Sequence, residues 1–138
     1  MYGFNTRLTV PFDAAIVQVT EALKKEGFGV LSDIDVKATM KAKLDIERRP
    51  YRILGACNPP LAHKALTAER DIGVLLPCNV VVYQGDDPGQ SVIAAVDPEV
   101  SLGRVGNTEL APLAKEVKQR LGRVLDAVGA NRPAGNVG

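Results

Sequence analysis

The sequence predicts an α+β domain built on one five-stranded, mainly antiparallel sheet. Five strand-like segments and several helical patterns follow one another along 138 residues, a length typical of one domain. With two short helical segments set aside, the order is strand, helix, four strands, helix. A dense turn signal at residues 85–89 joins the last two strands as a hairpin. We therefore expect helices on one face of this sheet.

The N-terminal third contains a strand, a helix and a second strand. Residues 2–10 alternate loosely, and Pro11 then begins a helix, where its fixed φ is already suitable. Gly27 follows the last helical turn as a C′ residue, and residues 28–34 form the second strand. Apolar residues spaced three or four apart give the helix one buried face: Phe12, Ile16, Val19 and Leu23.

The middle of the chain predicts two short helices around a third strand. Val36, Met40 and Leu44 recur every fourth residue, which favours a helix over 35–44. Residues 51–57 form the strand. Asn58 is suited to cap the next helix, which has prolines at its first positions and runs to Ala68.

The last part of the domain predicts two strands and two helices. Residues 72–83 read as one long strand in which Pro77 marks a bulge or an edge, and residues 91–96 read as the fifth strand. Asp97 begins a short helix. The final helix carries an apolar stripe of Leu110, Leu113, Val117, Leu121, Val124 and Val128. The domain is thus expected over residues 1–128, with a flexible tail over 129–138.

The fifth strand predicts that the chain forms a homodimer. Every residue from Val92 to Val96 is apolar, whereas a strand with one wet face should alternate. Helices cover one face of the sheet, and a second copy of the chain is the simplest cover for the other. The alternative is that the short helices wrap around that face.

Charge and composition exclude several partner classes. With 17 basic and 16 acidic residues, the net charge of +1 offers no field to attract nucleic acid or anionic lipid. No apolar run approaches membrane-spanning length, and the first ten residues lack a signal-peptide pattern. The sequence therefore predicts a cytoplasmic protein that binds neither nucleic acid nor membrane.

Both cysteines and the single histidine lie between residues 57 and 78. Three interpretations remain open. Cys57 precedes a helix N-terminus and is either a reactive thiol or a small buried apolar residue. Cys57, His63 and Cys78 form a candidate metal site for zinc or copper. Cys57 and Cys78 form a disulfide if strands three and four bring them together.

Each cysteine is followed by an asparagine, and two roles for these asparagines stay open. Asn58 and Asn79 either satisfy backbone groups locally or face one pocket together as ligand-binding amides. With the two cysteines, Cys57 and Cys78, they are the candidate ligand-binding residues. No catalytic residue and no cofactor is indicated by the pattern.

Several segments of this chain match a known family pattern: Met1–Phe4, residues 25–31, residues 51–62 (Tyr-Arg-Ile-Leu-Gly-Ala-Cys-Asn-Pro-Pro-Leu-Ala), and residues 76–82. The chain thereby resembles the domain-of-unknown-function family 302 over residues 1 to about 128. That resemblance implies a fold like a TATA-binding-protein half-domain, decorated with extra helices and assembled as a homodimer. It implies no biochemical activity.

The leading functional expectation is a small-ligand-binding or sensing domain with its pocket near Cys57, Asn58 and Asn79. The alternatives are a thiol-redox or metal-dependent enzyme that uses Cys57, His63 and Cys78, and a homodimeric protein-interaction module.

Overall fold

Five antiparallel strands pair side by side in the computed structural model, which describes residues 2–129. The strand order is β1-β5-β4-β3-β2, so strands β2 to β5 form a meander and β1 adds beside β5. The elements are, in chain order, β1 (Gly3–Leu8), α1 (Phe12–Lys25), β2 (Gly29–Asp35), α2 (Val36–Leu44), β3 (Tyr51–Cys57), α3 (Pro59–Ala68), a 3₁₀ helix (Arg70–Leu75), β4 (Cys78–Gln84), β5 (Ser91–Val96), α4 (Pro98–Ser101) and α5 (Leu110–Gly129). The predicted fold class is confirmed.

Helices α1 and α5 pack on one face of the sheet and on each other. The amphipathic spacing seen in the sequence explains this, because the buried residues of each helix fall on the face that meets the strands. The core side chains that are fully buried include Leu8, Val19, Leu23, Val80, Val82, Ile93, Leu121 and Val124.

The opposite face of the sheet carries an apolar row. Ile53, Val81 and Ala94 lie directly opposite one another on three neighbouring strands and are half-buried. At one end of this face the rings of Tyr51 and Tyr83 stack with centroids 5.3 Å apart. Part of this face therefore stays in contact with solvent in a single chain.

The predicted long strand over residues 72–83 is wrong in its first half. Residues Arg70–Leu75 form the 3₁₀ helix, and the strand begins only at Cys78, after Pro77. Ile72 does not lie in the sheet. Its apolar side chain is buried in a second hydrophobic cluster, where it packs with Ala65 and Leu110. Pro77 has no N–H to donate, so it precedes the hydrogen-bonded ladder and does not interrupt it.

The last helix extends to Gly129, one residue past the predicted domain end. A Cβ at Gly129 would lie 2.7 Å from Thr6 Oγ1, so the glycine permits close contact between α5 and β1. The rest of the predicted tail, residues 130–138, lies outside the described residues.

Candidate functional site

A cavity of about 270 Å³ opens at the end of the sheet where β3 leads into α3 and the 3₁₀ helix leads into β4. Helix α5 supplies its far wall through Leu113 and Val117. The near walls are also apolar and include Phe28, Leu61, Ala65 and Leu76. Cys57, Cys78 and Asn58 lie on the same cavity, so the structure brings three of the four predicted ligand-binding residues together.

Asn58 fixes the junction between β3 and α3. Its Oδ1 accepts a hydrogen bond from the Leu61 N–H at 3.4 Å, as an N-cap does, and its Nδ2 donates to the Glu26 carbonyl oxygen at 3.3 Å. The side chain is buried, and both ends of its amide are bonded. The capping role expected of Asn58 is confirmed, and its amide holds the cavity wall in place.

The N-terminus of α3 offers little to an anion. Its first two residues, Pro59 and Pro60, have no N–H groups, and the Leu61 N–H is already bonded to Asn58. The Ala62 N–H donates to the Asn58 carbonyl oxygen at 2.8 Å. A Cys57 thiolate would therefore find no free N–H donor in the first turn of α3.

The two cysteines lie on adjacent strands at the cavity. Cys78 is directly opposite Ala56, the residue before Cys57, and both thiols are free in this structure. Burial, together with the nearby Cys57, raises the pKa of Cys78 to about 11. Cys78 is therefore a neutral thiol at physiological pH and behaves as a small apolar residue.

His63 does not join the cysteines. It is exposed on α3 and lines a separate, shallow groove with Lys64, Glu109 and Pro112. Within residues 2–129, no three His, Cys, Asp or Glu side chains are placed to hold a metal ion. The structure thus does not assemble the predicted set of Cys57, His63 and Cys78, because α3 turns the imidazole away from the strand ends.

Asn79 also lies apart from the cavity. It is exposed, and it is directly opposite Gly55 in the β3–β4 ladder. Successive residues of a strand point to opposite faces, so Asn79 faces away from the side where Cys78 meets the cavity. The structure therefore does not bring Asn58 and Asn79 to one cavity.

Comparison with known proteins agrees with this architecture. The family described as "Domain of unknown function DUF302" matches residues 4–128. The chain belongs to the DUF302 family. A crystal structure of an uncharacterized conserved DUF302 protein from Bacillus stearothermophilus superposes with a TM-score of 0.85 at 30% identity, and covers 93% of this chain and 98% of that one. No curated protein matches the sequence significantly.

No helix among residues 2–129 of this DUF302 chain has both the length and the apolar character needed to cross a membrane.

Sequence reasoning missed the residues at the mouth of the DUF302 cavity. Leu31 and Leu66 line it although they are 70% and 45% exposed. Leu31 is the extra residue of a β-bulge, because the β2–β3 register shifts between Val30 and Ser32. The irregular alternation of residues 28–34 was the available signal, but it does not say which residue bulges.

Proposed function

We propose that this DUF302 domain binds a small, uncharged, apolar molecule in the cavity between α3, the 3₁₀ helix and α5. The observation that carries the proposal is the lining itself. Within residues 2–129, none of the side chains on this cavity is charged. Ligand pockets of this kind obtain affinity from apolar burial and orientation from a few polar groups.

The size of the cavity limits the ligand. A closed apolar cavity of about 150 Å³ stays dry and binds benzene or xenon. The smallest ligand pockets have volumes of about 300 Å³, and the volume of this cavity is about 270 Å³. Its volume suits a guest somewhat larger than one aromatic ring.

The polar groups at the cavity support an uncharged guest. Both ends of the Asn58 amide are committed to protein partners. A charged guest would lose its hydration without gaining a partner, which costs several kcal/mol by order of magnitude. The thiols of Cys57 and Cys78 are weak hydrogen-bond donors and suit an apolar surface.

Toluene binding followed by two-dimensional NMR tests the proposal. We expect saturable shifts of amides in α3 and the 3₁₀ helix of the wild-type chain. Ala62→Phe should abolish them, because Ala62 lines the cavity on α3 and a phenyl ring there would occupy the space. The matched control is Ala127→Phe, at an exposed position of α5 outside the cavity.

The proposal would be contradicted by a wild-type chain without saturable shifts, or by an Ala62→Phe chain that is folded and binds toluene as the wild type does. Shifts confined to the far end of the sheet would equally place the guest elsewhere.

The enzyme alternative is less well supported. Thiol-redox or metal-dependent chemistry at Cys57, His63 and Cys78 needs an activated thiolate or a third ligand nearby. His63 lies on a different groove, and the raised pKa of Cys78 keeps that thiol protonated.

We also propose that the domain assembles as a homodimer through the open face of its sheet, as a TATA-binding-protein-like arrangement would allow. The apolar row of Ile53, Val81 and Ala94 supports this, because an apolar row that crosses three inner strands is costly to leave partly exposed to water. A second copy would present the same row and bury both.

A further inference from the structure

We infer that the ligand of this cavity is a linear alkyl chain, whose end enters the cavity and whose remaining length lies across an apolar rim formed by Leu31 and Leu66. This inference rests on the proposed function and specifies its ligand class. A compact ring would fill only the interior, whereas a chain also covers the rim.

The bulge in β2 builds one side of this rim. Val30 pairs with Ala56 and Ser32 with Gly55, so Leu31 is the residue that the ladder leaves out. β2 is an edge strand with no neighbour on its outer side, so the bulge disrupts no strand pairing there. It re-aims the leucine side chain to the cavity mouth, where it stays 70% exposed.

Helix α3 and the 3₁₀ helix build the other side. Leu66 Cδ2 lies 3.9 Å from the position that a Cβ on Gly73 would take, so the leucine lies over the backbone of the 3₁₀ helix. Gly73 itself lines the cavity, and the next two residues, Val74 and Leu75, are 86% and 40% exposed. Exposed apolar side chains thus continue outward from the mouth.

The continuity between cavity and rim points to the shape of the guest. Each methylene that leaves water contributes a similar favourable increment, so a chain that runs from the interior over the rim gains affinity with length. The rim leucines are large, exposed and contiguous with an uncharged interior. A flexible, uncharged chain is the ligand that uses both.

A series of straight-chain alcohols from 1-butanol to 1-decanol, titrated by NMR, tests the inference. Affinity should rise about fourfold per added methylene, the equivalent of one buried CH₂ group. The double variant Leu31→Ser/Leu66→Ser should bind 1-butanol as the wild type does, but should lose about tenfold or more for 1-decanol, since two or more methylenes would lose their cover. Leu44→Ser, an exposed leucine on α2, is the matched control.

The outcomes separate this inference from the proposed function. If toluene and 1-butanol bind with sensitivity to Ala62→Phe, but affinity stops rising with length or ignores the rim variant, only the alkyl-chain inference fails. If none of these probes binds, the proposed function fails. A further outcome is that the wild type sediments with neutral phosphatidylcholine vesicles, the rim variant does not, and affinity for the alcohols does not depend on chain length. The rim would then be a membrane contact, and the alkyl-chain inference would be overturned.

Discussion

Asn58 shows how far a single residue can be understood from the sequence. An asparagine followed by two prolines predicts an N-cap, and the structure confirms it with the bond from the Leu61 N–H. The second bond, to the Glu26 carbonyl, joins residues 32 apart in the chain and could not be predicted. No local sequence signal indicates the position of Asn79. The pairing register of the sheet decides on which face of the sheet its side chain lies.

Asp97 is a second residue whose role combines local and distant contacts. Its Oδ1 accepts from the Glu99 N–H at 3.0 Å, and its Oδ2 lies 2.9 Å from Lys118 Nζ on α5. Burial alone would raise the pKa of Asp97, but the hydrogen bonds from Lys118 and from the backbone outweigh it and the pKa is lowered. The carboxylate therefore contributes stability above the unfolded pKa of about 3.9, and this contribution is lost as pH falls through the lower folded pKa.

Asp97→Ala should consequently destabilise the domain by about 1 kcal/mol at pH 7, the usual cost of losing an N-cap. Urea unfolding at pH 7 and at pH 3 checks this, and the difference from wild type should shrink at the acidic pH. Asp126→Ala, at an exposed site on α5, should change stability by less than about 0.5 kcal/mol at either pH. A penalty for Asp97→Ala that grows in acid would contradict the assigned charge role.

At the scale of elements, periodicity predicted most of the fold. The bounds of β3, α3 and β5 agree with the predicted segments because turn, proline or capping residues mark most of their ends. The 3₁₀ helix over Arg70–Leu75 was misread because a short apolar run does not distinguish a strand from a helix. Ile72 is buried by tertiary packing with Leu110 on α5, which no local pattern reveals.

The bulge in β2 is the other element that local patterns could not predict. A bulge is set by the pairing partner, and here β3 fixes where the register shifts. The cavity mouth depends on this shift, since it brings Leu31 to the rim. The sequence therefore predicted the part of the candidate site that β3 and α3 form. It did not predict the part that β2 and the 3₁₀ helix form.

At the scale of the whole molecule, the cavity arises from elements far apart in sequence. Leu113 and Val117 on α5 close a space that begins at Phe28 and Cys57. No spacing along the chain indicates that these walls meet. The apolar character of the open sheet face, by contrast, was anticipated from the unbroken apolar composition of residues 92–96.

Light scattering at micromolar concentration tests the proposed homodimer. The wild-type chain should have the mass of two copies, and Val81→Glu should reduce it to one, because an unpaired charge would be buried at the centre of the interface. Val17→Glu, at a site on α1 that is 62% exposed, should leave the mass unchanged. A monomeric wild type, or a Val81→Glu chain that stays dimeric, would count against assembly through this face.

The most direct test of the cavity's character is a crystal structure of the protein under xenon pressure. An uncharged, apolar cavity should admit xenon and exclude ordered water. We expect an anomalous peak from xenon between Leu61, Cys78 and Val117, and no electron density for ordered waters in the cavity. A cavity that holds ordered waters and no xenon would show a polar site, and the account of apolar ligand binding would be wrong.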